Sequence, residues 1–223
     1  MAPPSTTRRE RERDLVAATR ALFDERGVQD APMEEIARAV GINKALIYRV
    51  FASKEELFVL TVTLYLDELR ENALEPHEGL EDALDRFTRF CLRYPAFLDC
   101  ALSLMRRPAE DLREAVGEGT WLRLGASMSA CLAPLARILA EEGVDDPDFT
   151  ANRIYTQVLG TMHLARIGLG VREEAPGVPG AFPLDPEDVR LACVADALAL
   201  ASRPGPTPRS RRPAASSSSR RTA

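Results

Sequence analysis

Apolar residues recur at helical spacing along almost the whole chain, and this pattern is the strongest constraint on the fold. Alanine, leucine, arginine and glutamate dominate the 223 residues, aromatic residues make up only 6%, and β-branched runs are scarce. This composition favours helix over sheet. The apolar content of 45% is enough for a sizeable core. The sequence therefore predicts an all-α protein of about nine helices.

Cap and stop signals place the first helix near the start of the chain. Thr7 and Glu10 have the spacing of a capping box, in which each side chain bonds a free backbone N–H of the first turn. Gly27 follows the last residue of the apolar period and is a suitable C-terminal glycine. These signals predict a helix over residues 8–26. Pro32 suits the first turn of a second helix.

Three more signals divide the next stretch. Gly41 ends the second helix, and Asn43 is placed to cap a third helix over residues 44–50. Ser53 opens a second capping box, which predicts a fourth helix over residues 54–73. The first part of the chain is therefore expected to hold three small helices followed by a longer one.

Helical periodicity continues beyond Pro76. Segment 109–142 is long and is expected to kink at Gly125 or Pro134. The Pro/Gly-rich segment 173–186 is interpreted as a loop, and no strand is expected. Helices are predicted at 79–94, between Pro95 and Pro108, and at 109–142, 147–170 and 187–202.

Charge is distributed unevenly along the chain. Residues 1–58 hold ten basic and ten acidic side chains, whereas residues 59–202 hold 13 basic and 24 acidic ones. Residues 203–223 hold six arginines and no acid, which makes this tail either a solvated end or a weak DNA-binding arm. General polyanion binders have a net positive charge, whereas the N-terminal block of this chain is neutral. The block can still bind DNA if its positive side chains lie on one face.

Several function classes are excluded by missing motifs. The cysteines match no zinc spacing, and neither His77 nor His163 belongs to a metal pair, so no metal and no cofactor are expected. Ser127 and Ser129 lack the strand–turn–helix setting of a hydrolase nucleophile, so the chain is not expected to be an enzyme. The cysteines, which are interpreted as small buried apolar residues, are Cys91, Cys100, Cys131 and Cys193.

Membrane and export signals are also missing. The apolar run at 126–140 is too short to span a membrane, and residues 1–10 lack the apolar region of a secretion signal. A cytoplasmic location is therefore expected.

Residues 33–52 carry the pattern of a helix-turn-helix. Two short helices that meet at a sharp angle need a small residue at their contact, here Ala37, and a turn residue without Cβ, here Gly41. A buried helical hairpin without a DNA role has the same pattern, and so does an adaptor that binds another protein through this hairpin. The apolar residues that would hold the pair together are Ile36, Val40, Ile42, Ile47 and Val50.

Three stretches in this region resemble the DNA-binding domain of the TetR (AcrR) family of transcriptional regulators. They are LVAATRALFDERG at 15–27, IARAVGINKALIYRVF at 36–51 and SKEELF at 53–58, and the resemblance covers residues 7–60. It implies an Ω-shaped homodimer, a variable ligand-binding body, and repression that a small molecule relieves. Pro32 departs from the family pattern, which usually has Thr or Ser there to contact a phosphate.

The resemblance also assigns DNA contacts to individual residues. Tyr48 is expected to hydrogen-bond a phosphate, and Lys44 and Lys54 to contact the backbone. Arg49 is expected either to read guanine O6 and N7 or to contact a phosphate. The full set is Asn43, Lys44, Ala45, Leu46, Tyr48, Arg49 and Lys54.

Three of these assignments carry further detail. Asn43 and Ala45 are expected to face base edges beside Arg49. Leu46 either touches a thymine methyl group or packs inward. The neighbouring Phe51 is interpreted as a core residue.

Aromatic and sulfur-containing residues of the body form stripes at helical spacing. Such stripes are either ordinary core or the wall of an apolar ligand cavity with a few polar groups. The candidate ligand-binding residues are Phe87, Phe90, Tyr94, Phe97, Trp121, Met128, Tyr155, Met162 and His163.

The last two helices, 147–170 and 187–202, are rich in small apolar residues. The resemblance implies that they form a homodimer interface as a four-helix bundle. A two-fold pair of reading helices would demand a pseudo-palindromic operator. The predicted function is a sequence-specific DNA-binding regulator, a repressor that a small apolar ligand releases from this operator.

The predicted domain order follows from these assignments. A disordered lead at 1–6 precedes the DNA-binding domain at 7–53. The ligand-binding and dimerisation domain is expected at 54–202, and a disordered basic tail at 203–223.

Overall fold

The computed structural model describes residues 7–28, 32–75 and 78–202. These residues form nine α-helices and one β-hairpin, and a short π-helical turn, Arg70–Leu74, extends the fourth helix. The helices are α1 (Arg8–Arg26), α2 (Met33–Ala39), α3 (Lys44–Val50), α4 (Lys54–Leu69), α5 (Leu80–Arg93), α6 (Pro95–Met105), α7 (Ala109–Glu141), α8 (Pro147–Ile167) and α9 (Pro186–Ala201). The predicted helical fold is confirmed.

Helix α1 begins and ends where its cap residues predict. The Thr7 hydroxyl accepts from the Glu10 N–H at 3.2 Å, and the Glu10 carboxylate accepts from the Thr7 N–H at 2.7 Å. Gly27 has a φ of 84°, and its N–H donates to the Phe23 carbonyl at 2.8 Å. The predicted capping box and the helix bounds are therefore both confirmed.

Two other caps differ in detail from the prediction. Pro32 is the N-cap of α2 and lies just outside the first turn, with no side-chain cap bond. At α4, the Ser53 hydroxyl accepts from the Glu56 N–H at 3.0 Å. The Glu56 carboxylate accepts from the Ala52 N–H at 2.6 Å, one residue before the N-cap. The second capping box is therefore shifted by one backbone group.

The body is built around α4, which packs against α7 on one side and against α1 on the other. Helix α8 packs between α7 and α9, and α5 covers α9. The Tyr65 ring lies in the centre of the core, where it meets the Phe97 ring at 6.0 Å, and its hydroxyl donates to Asp24 of α1 at 2.6 Å. A partly buried hydrogen bond thus joins α1 to the body.

A β-hairpin lies where a loop was expected, so the prediction of no strand is wrong. Strands β1 (Leu169–Ala175) and β2 (Val178–Pro183) pair antiparallel across a turn at Gly177, which has a φ of 77°. Both strands are edges, and an edge strand tolerates proline because one side of its backbone needs no ladder partner. Prolines therefore masked this strand pair in the sequence.

The break in α7 lies at Gly117, whereas Gly125 or Pro134 was expected. Gly117 has a φ of 77° and a ψ of 162°, and it is the position inside α7 where the backbone leaves helical geometry. Pro134 lies inside the helix and is buried. The two halves of α7 therefore meet nearer the N-terminal end of the helix than the sequence predicts.

The break supplies a matched pair of variants. Gly117→Ala is expected to lower the free energy of unfolding by about 1–3 kcal/mol, because a Cβ is strained at this φ and ψ. Gly119→Ala is expected to raise it by up to about 1 kcal/mol, because alanine favours a helix and no atom lies within 4 Å of its Cβ. Urea unfolding followed by circular dichroism measures both changes. Equal effects of the two substitutions would contradict the break.

Helix α7 is longer than the apolar run seen in the sequence. Among the described residues it is the helix with the length and mean hydropathy that a membrane span requires. It packs against α4 and α8 and exposes Arg123 and Arg137. Helices that pack into helical domains have the same length and composition.

Parts of the sequence predictions lie outside the described residues. These are the lead at 1–6, the tail at 203–223 and His77. Each of the four cysteines is free and buried, as predicted.

Candidate nucleic-acid interface

Helices α2 and α3 are joined by a tight turn. Gly41 has a φ of 69°, and its N–H donates to the Arg38 carbonyl at 3.1 Å. The Ile42 N–H donates to the Ala37 carbonyl at 2.9 Å, and Ala37 is buried at the contact of the two helices. The small residue and the turn glycine therefore lie where the helix-turn-helix pattern places them.

Cap bonds hold both ends of α3. The Asn43 side-chain oxygen accepts from the Leu46 N–H at 3.0 Å, so Asn43 is the N-cap. At the other end, the Arg8 guanidinium of α1 donates to the Val50 carbonyl at 3.3 Å. A cation at this end also complements the helix dipole. No sequence signal indicated this contact of Arg8, because it joins residues far apart in the chain.

One face of α3 is buried and the opposite face is open. Ile47 and Val50 are buried, and Phe51, at 1% exposure, packs behind them. Ala45 and Arg49 lie one turn apart on the opposite, exposed face. The predicted assignment of Phe51 to the core is confirmed.

The other predicted contact residues surround this open face. Tyr48 has 48% of its surface exposed, and Lys44 is exposed beside it. Leu46 is half-buried, so its side chain is shared between the interior and the surface. Lys54 is exposed at the first turn of α4. The structure therefore brings six of the seven predicted residues onto or beside α3 and places Lys54 on the next helix.

Lys44 is held by a carboxylate of α2. Its ammonium donates to the Glu34 carboxylate at 2.5 Å. This hydrogen bond lowers the pKa of Glu34 and raises the pKa of Lys44, so both remain charged at neutral pH. Glu34 was not predicted from the sequence, and its carboxylate competes with any phosphate that Lys44 would bind.

Glu34→Gln is therefore expected to strengthen binding to any DNA duplex. The change frees Lys44 and removes a negative charge beside α3, and the expected gain is about threefold to tenfold. Fluorescence anisotropy with labelled duplexes measures it. Glu114→Gln, an exposed carboxylate in the first half of α7, is the control and should change little. A Glu34→Gln protein with unchanged affinity would contradict a phosphate contact of Lys44.

Polar contacts join the first half of α7 to the start of α4 and to α1. The Ser53 hydroxyl donates to the Ala115 carbonyl at 3.1 Å, and the Thr120 hydroxyl donates to the Glu56 carboxylate at 2.9 Å. Arg123 forms an ion pair with Glu12 of α1. These contacts lie on both sides of Gly117, so the broken part of α7 is held against the start of α4 and against α1.

The predicted ligand residues mostly contact one another in the core. Phe87 stacks on Tyr155 at 5.8 Å between ring centres, and Phe90 meets Phe97 at 5.4 Å and Tyr94 at 4.7 Å. The residues Phe87, Phe97, Tyr155 and Met162 are buried, and Trp121, Met128 and His163 are half-buried.

Two features near these candidate residues could serve a ligand: a shallow pocket and, within the described part of the chain, an unpaired polar atom. Phe90 and Tyr94 border a shallow pocket of about 470 Å³ that arginines of α5 surround. The Nδ1 atom of His163 is buried without a hydrogen-bond partner among the described residues. Their role in ligand binding remains a prediction.

A separate cleft of about 420 Å³ lies between the front helices, α1–α3, and the helical body, α4–α9. Residues of α1 and α2 form one wall, and residues of α4, α6 and α7 form the other. None of the predicted ligand residues lines it. Among the described residues, no group of three or more His, Cys, Asp or Glu side chains is placed to hold a metal ion.

Comparison with known proteins supports the interpretation of the front helices. Residues 15–60 match the family described as bacterial regulatory proteins, tetR family. The HTH-type transcriptional regulator HbdR of Aromatoleum sp. (strain CIB) is 29% identical over 107 residues, which is 47% of this chain and 47% of HbdR. The chain therefore matches about half the length of this curated relative.

Solved structures are similar over most of the chain. A tetR-family transcriptional regulator from Streptomyces coelicolor has a TM-score of 0.56 and 20% identity, over 86% of this chain and 80% of that one. BioQ in complex with its double-stranded DNA operator has a TM-score of 0.51 and 19% identity, over 82% and 98%. At these identities the likeness concerns the fold.

The α2–α3 unit and the helical body thus define a protein with one helix-turn-helix followed by a larger helical domain. Residues 15–60 match the tetR family of bacterial regulatory proteins, so the resemblance seen in this part of the sequence is confirmed. The family and its named relatives are transcription regulators, which confirms the expectation that the chain is not an enzyme.

Proposed function

We propose that this chain is a cytoplasmic transcription regulator that reads duplex DNA with α3. The observation that carries the proposal is the open face of Ala45, Tyr48 and Arg49, which is fixed by the buried Ile47 and Val50 behind it. An α-helix fits the major groove, where its side chains reach base edges. BioQ, which has the same fold, was solved with its DNA operator, and this supports the same use of the fold here.

The proposed active form is a homodimer through α8 and α9. Gly160 of α8 and Ala192 and Ala195 of α9 are exposed, and Leu191 beside them has 54% of its surface exposed. Small residues on an open face let helices of a second copy approach closely and form a four-helix bundle. A two-fold dimer contacts the same DNA twice, so its operator is a pseudo-palindrome.

The proposed regulation is repression that a small apolar ligand relieves. A ligand changes the DNA affinity only if it binds better to one spacing of the dimer's two α3 helices than to another spacing. Helix α4 begins at the α2–α3 unit and continues through the core of the body, so it can transmit such a change. A reporter gene placed behind the bound DNA distinguishes repression from activation.

The first test is binding of the purified chain to duplexes selected from a random pool. Arg49→Ala is expected to weaken binding to the selected duplex by about 1–3 kcal/mol and to relax the base preference. Lys44→Ala is expected to weaken binding to all duplexes similarly and to reduce the salt dependence. Arg137→Ala, an exposed arginine on α7, is the control and should change neither.

The outcome also separates the two uses of the helical hairpin. A chain that binds no duplex at low salt would contradict the DNA-reading proposal and favour a protein-binding adaptor. Equal effects of Arg49→Ala on selected and scrambled duplexes would leave Arg49 as a phosphate contact and contradict its role in base reading.

A further inference from the structure

The cleft between the front helices and the body has an apolar floor. Phe23 of α1, Met33 and Ile36 of α2, and Leu57 of α4 line it, and all four are buried. Leu104 of α6 is half-buried at its side. The volume of about 420 Å³ lies in the range of small-molecule sites. The cleft therefore offers apolar contacts to a small ligand at the junction of the front helices and the body.

The mouth of the cleft carries an excess of positive charge. Lys54 and Arg107 are exposed there, and Glu55 is half-buried between them. Arg107 approaches Glu55 with an Nη2–Oε1 distance of 3.8 Å, which is long for an ion pair. Lys54 forms no ion pair with any residue that the structure describes. An anionic group at the mouth would therefore meet one unpaired ammonium and one loosely held guanidinium.

We propose that this cleft binds a small amphiphile that has an apolar body and one carboxylate head. The apolar body lies on the floor between α1, α2 and α4, and the head meets Lys54 at the mouth. An apolar ligand without a charge would fill the floor and leave the cations unused, whereas a cationic head would be repelled by them.

Binding of the ligand in this cleft opposes DNA binding. This coupling rests on the proposed DNA-reading function. Lys54 is the predicted contact of the DNA backbone from α4, so a carboxylate and a phosphate compete for the same ammonium. The ligand also lies between α2, which supports α3, and α4, which belongs to the body. A ligand that binds only when Lys54 is free therefore shifts the chain away from the DNA-bound state.

The first experiment measures binding of a chosen probe to the full chain by calorimetry. Decanoate is the probe, and decanol and decyltrimethylammonium have the same apolar length with a neutral and a cationic head. Decanoate is expected to bind at least about tenfold more tightly than either. Lys54→Gln is expected to remove most of this preference, because it keeps the size of the head contact and loses its charge.

The second variant fills the cleft with a larger side chain. Leu104→Trp places a larger side chain at the wall of the cleft and is expected to lower decanoate binding by at least about tenfold. Leu102→Trp is the control, since Leu102 lies on the same helix, is also half-buried, and does not line the cleft. Thermal unfolding confirms that both variants remain folded.

The DNA readout then tests the coupling. Decanoate is expected to weaken duplex binding of the unmodified chain and of the Leu102→Trp control by at least about tenfold, and to leave duplex binding of Leu104→Trp unchanged. Decanoate binding that is equal in the unmodified chain and Leu104→Trp would overturn the cleft as the site. Equal binding of decanol and decanoate would overturn the carboxylate head.

Two remaining outcomes separate failure of the ligand coupling from failure of the proposed function. Decanoate that binds without changing DNA affinity would overturn the coupling, while DNA binding without the probe would still support the reading helix. A chain that binds no duplex but binds decanoate through Lys54 and Leu104 would contradict the proposed function and keep the cleft as a ligand site.

Discussion

An Ala195→Arg variant is expected to be a monomer and to lose about 100-fold to 10,000-fold in operator affinity. Ala195 is exposed on α9, one turn from Ala192 and Ala199 on the same face. Arginine is too large for close helix packing, and two copies across a two-fold axis would bring like charges together. Loss of the dimer leaves one α3 per particle, so the second contact is no longer intramolecular.

Light scattering after size exclusion measures the mass, and anisotropy measures the affinity for the selected duplex. Ala140→Arg, at an exposed position of α7, adds the same side chain outside α8 and α9 and should leave both unchanged. An Ala195→Arg protein that keeps the dimer mass would place the interface elsewhere. A monomer with undiminished affinity would contradict the requirement for two reading heads.

A Phe51→Ala variant is expected to lower the free energy of unfolding by about 3–5 kcal/mol. Phe51 is 1% exposed in the core behind α3, and its N–H closes the helix on the Ile47 carbonyl at 2.9 Å. Removal of the ring leaves a cavity beneath the reading helix. The loss of DNA binding should therefore follow the loss of folded protein.

Urea unfolding gives the stability, and duplex affinity is measured well below the unfolding midpoint. Leu46→Ala is the comparison, since Leu46 is half-buried on α3 and its truncation should cost about 1 kcal/mol or less. A Phe51→Ala protein with undiminished stability and lost DNA affinity would contradict the core assignment, since Phe51 would then act as a contact.

The bounds of the front helices were predictable because they depend on contacts between residues that are close in the sequence. Thr7, Gly27 and Asn43 each form or end a helix through bonds within a few residues. The inward side of α3 was predictable for the same reason, because Ile47 and Val50 follow the apolar period. Contacts between distant residues, such as Arg8 with Val50, have no such local signal.

The body was predictable as helices and less so in detail. The hairpin at 169–183 was missed because Pro179 and Pro183 are typical of loops and are tolerated here on edge strands. The break of α7 at Gly117 was missed because Gly117, Gly119 and Gly125 all lie within one stretch of helical periodicity. A positive φ depends on packing of the two halves, which a single sequence does not reveal.

The ligand site was the hardest part to predict. An aromatic stripe such as Phe87 and Phe97 has the same spacing whether it fills a core or lines a cavity. These rings pack against their neighbours, and the cleft at the domain junction is lined by residues from five separate helices. Only the arrangement of the helices brings Phe23, Ile36 and Leu104 together.

The central claim is that α3 enters the major groove, twice per dimer. Protection of guanine N7 from methylation by dimethyl sulfate, on the selected duplex, tests it most directly. The account predicts two protected windows on one side of the duplex, with centres about 34–36 Å apart, and loss of guanine protection in Arg49→Ala. A bound complex that leaves every guanine N7 of a guanine-containing half-site reactive, or protects one window only, would contradict the account.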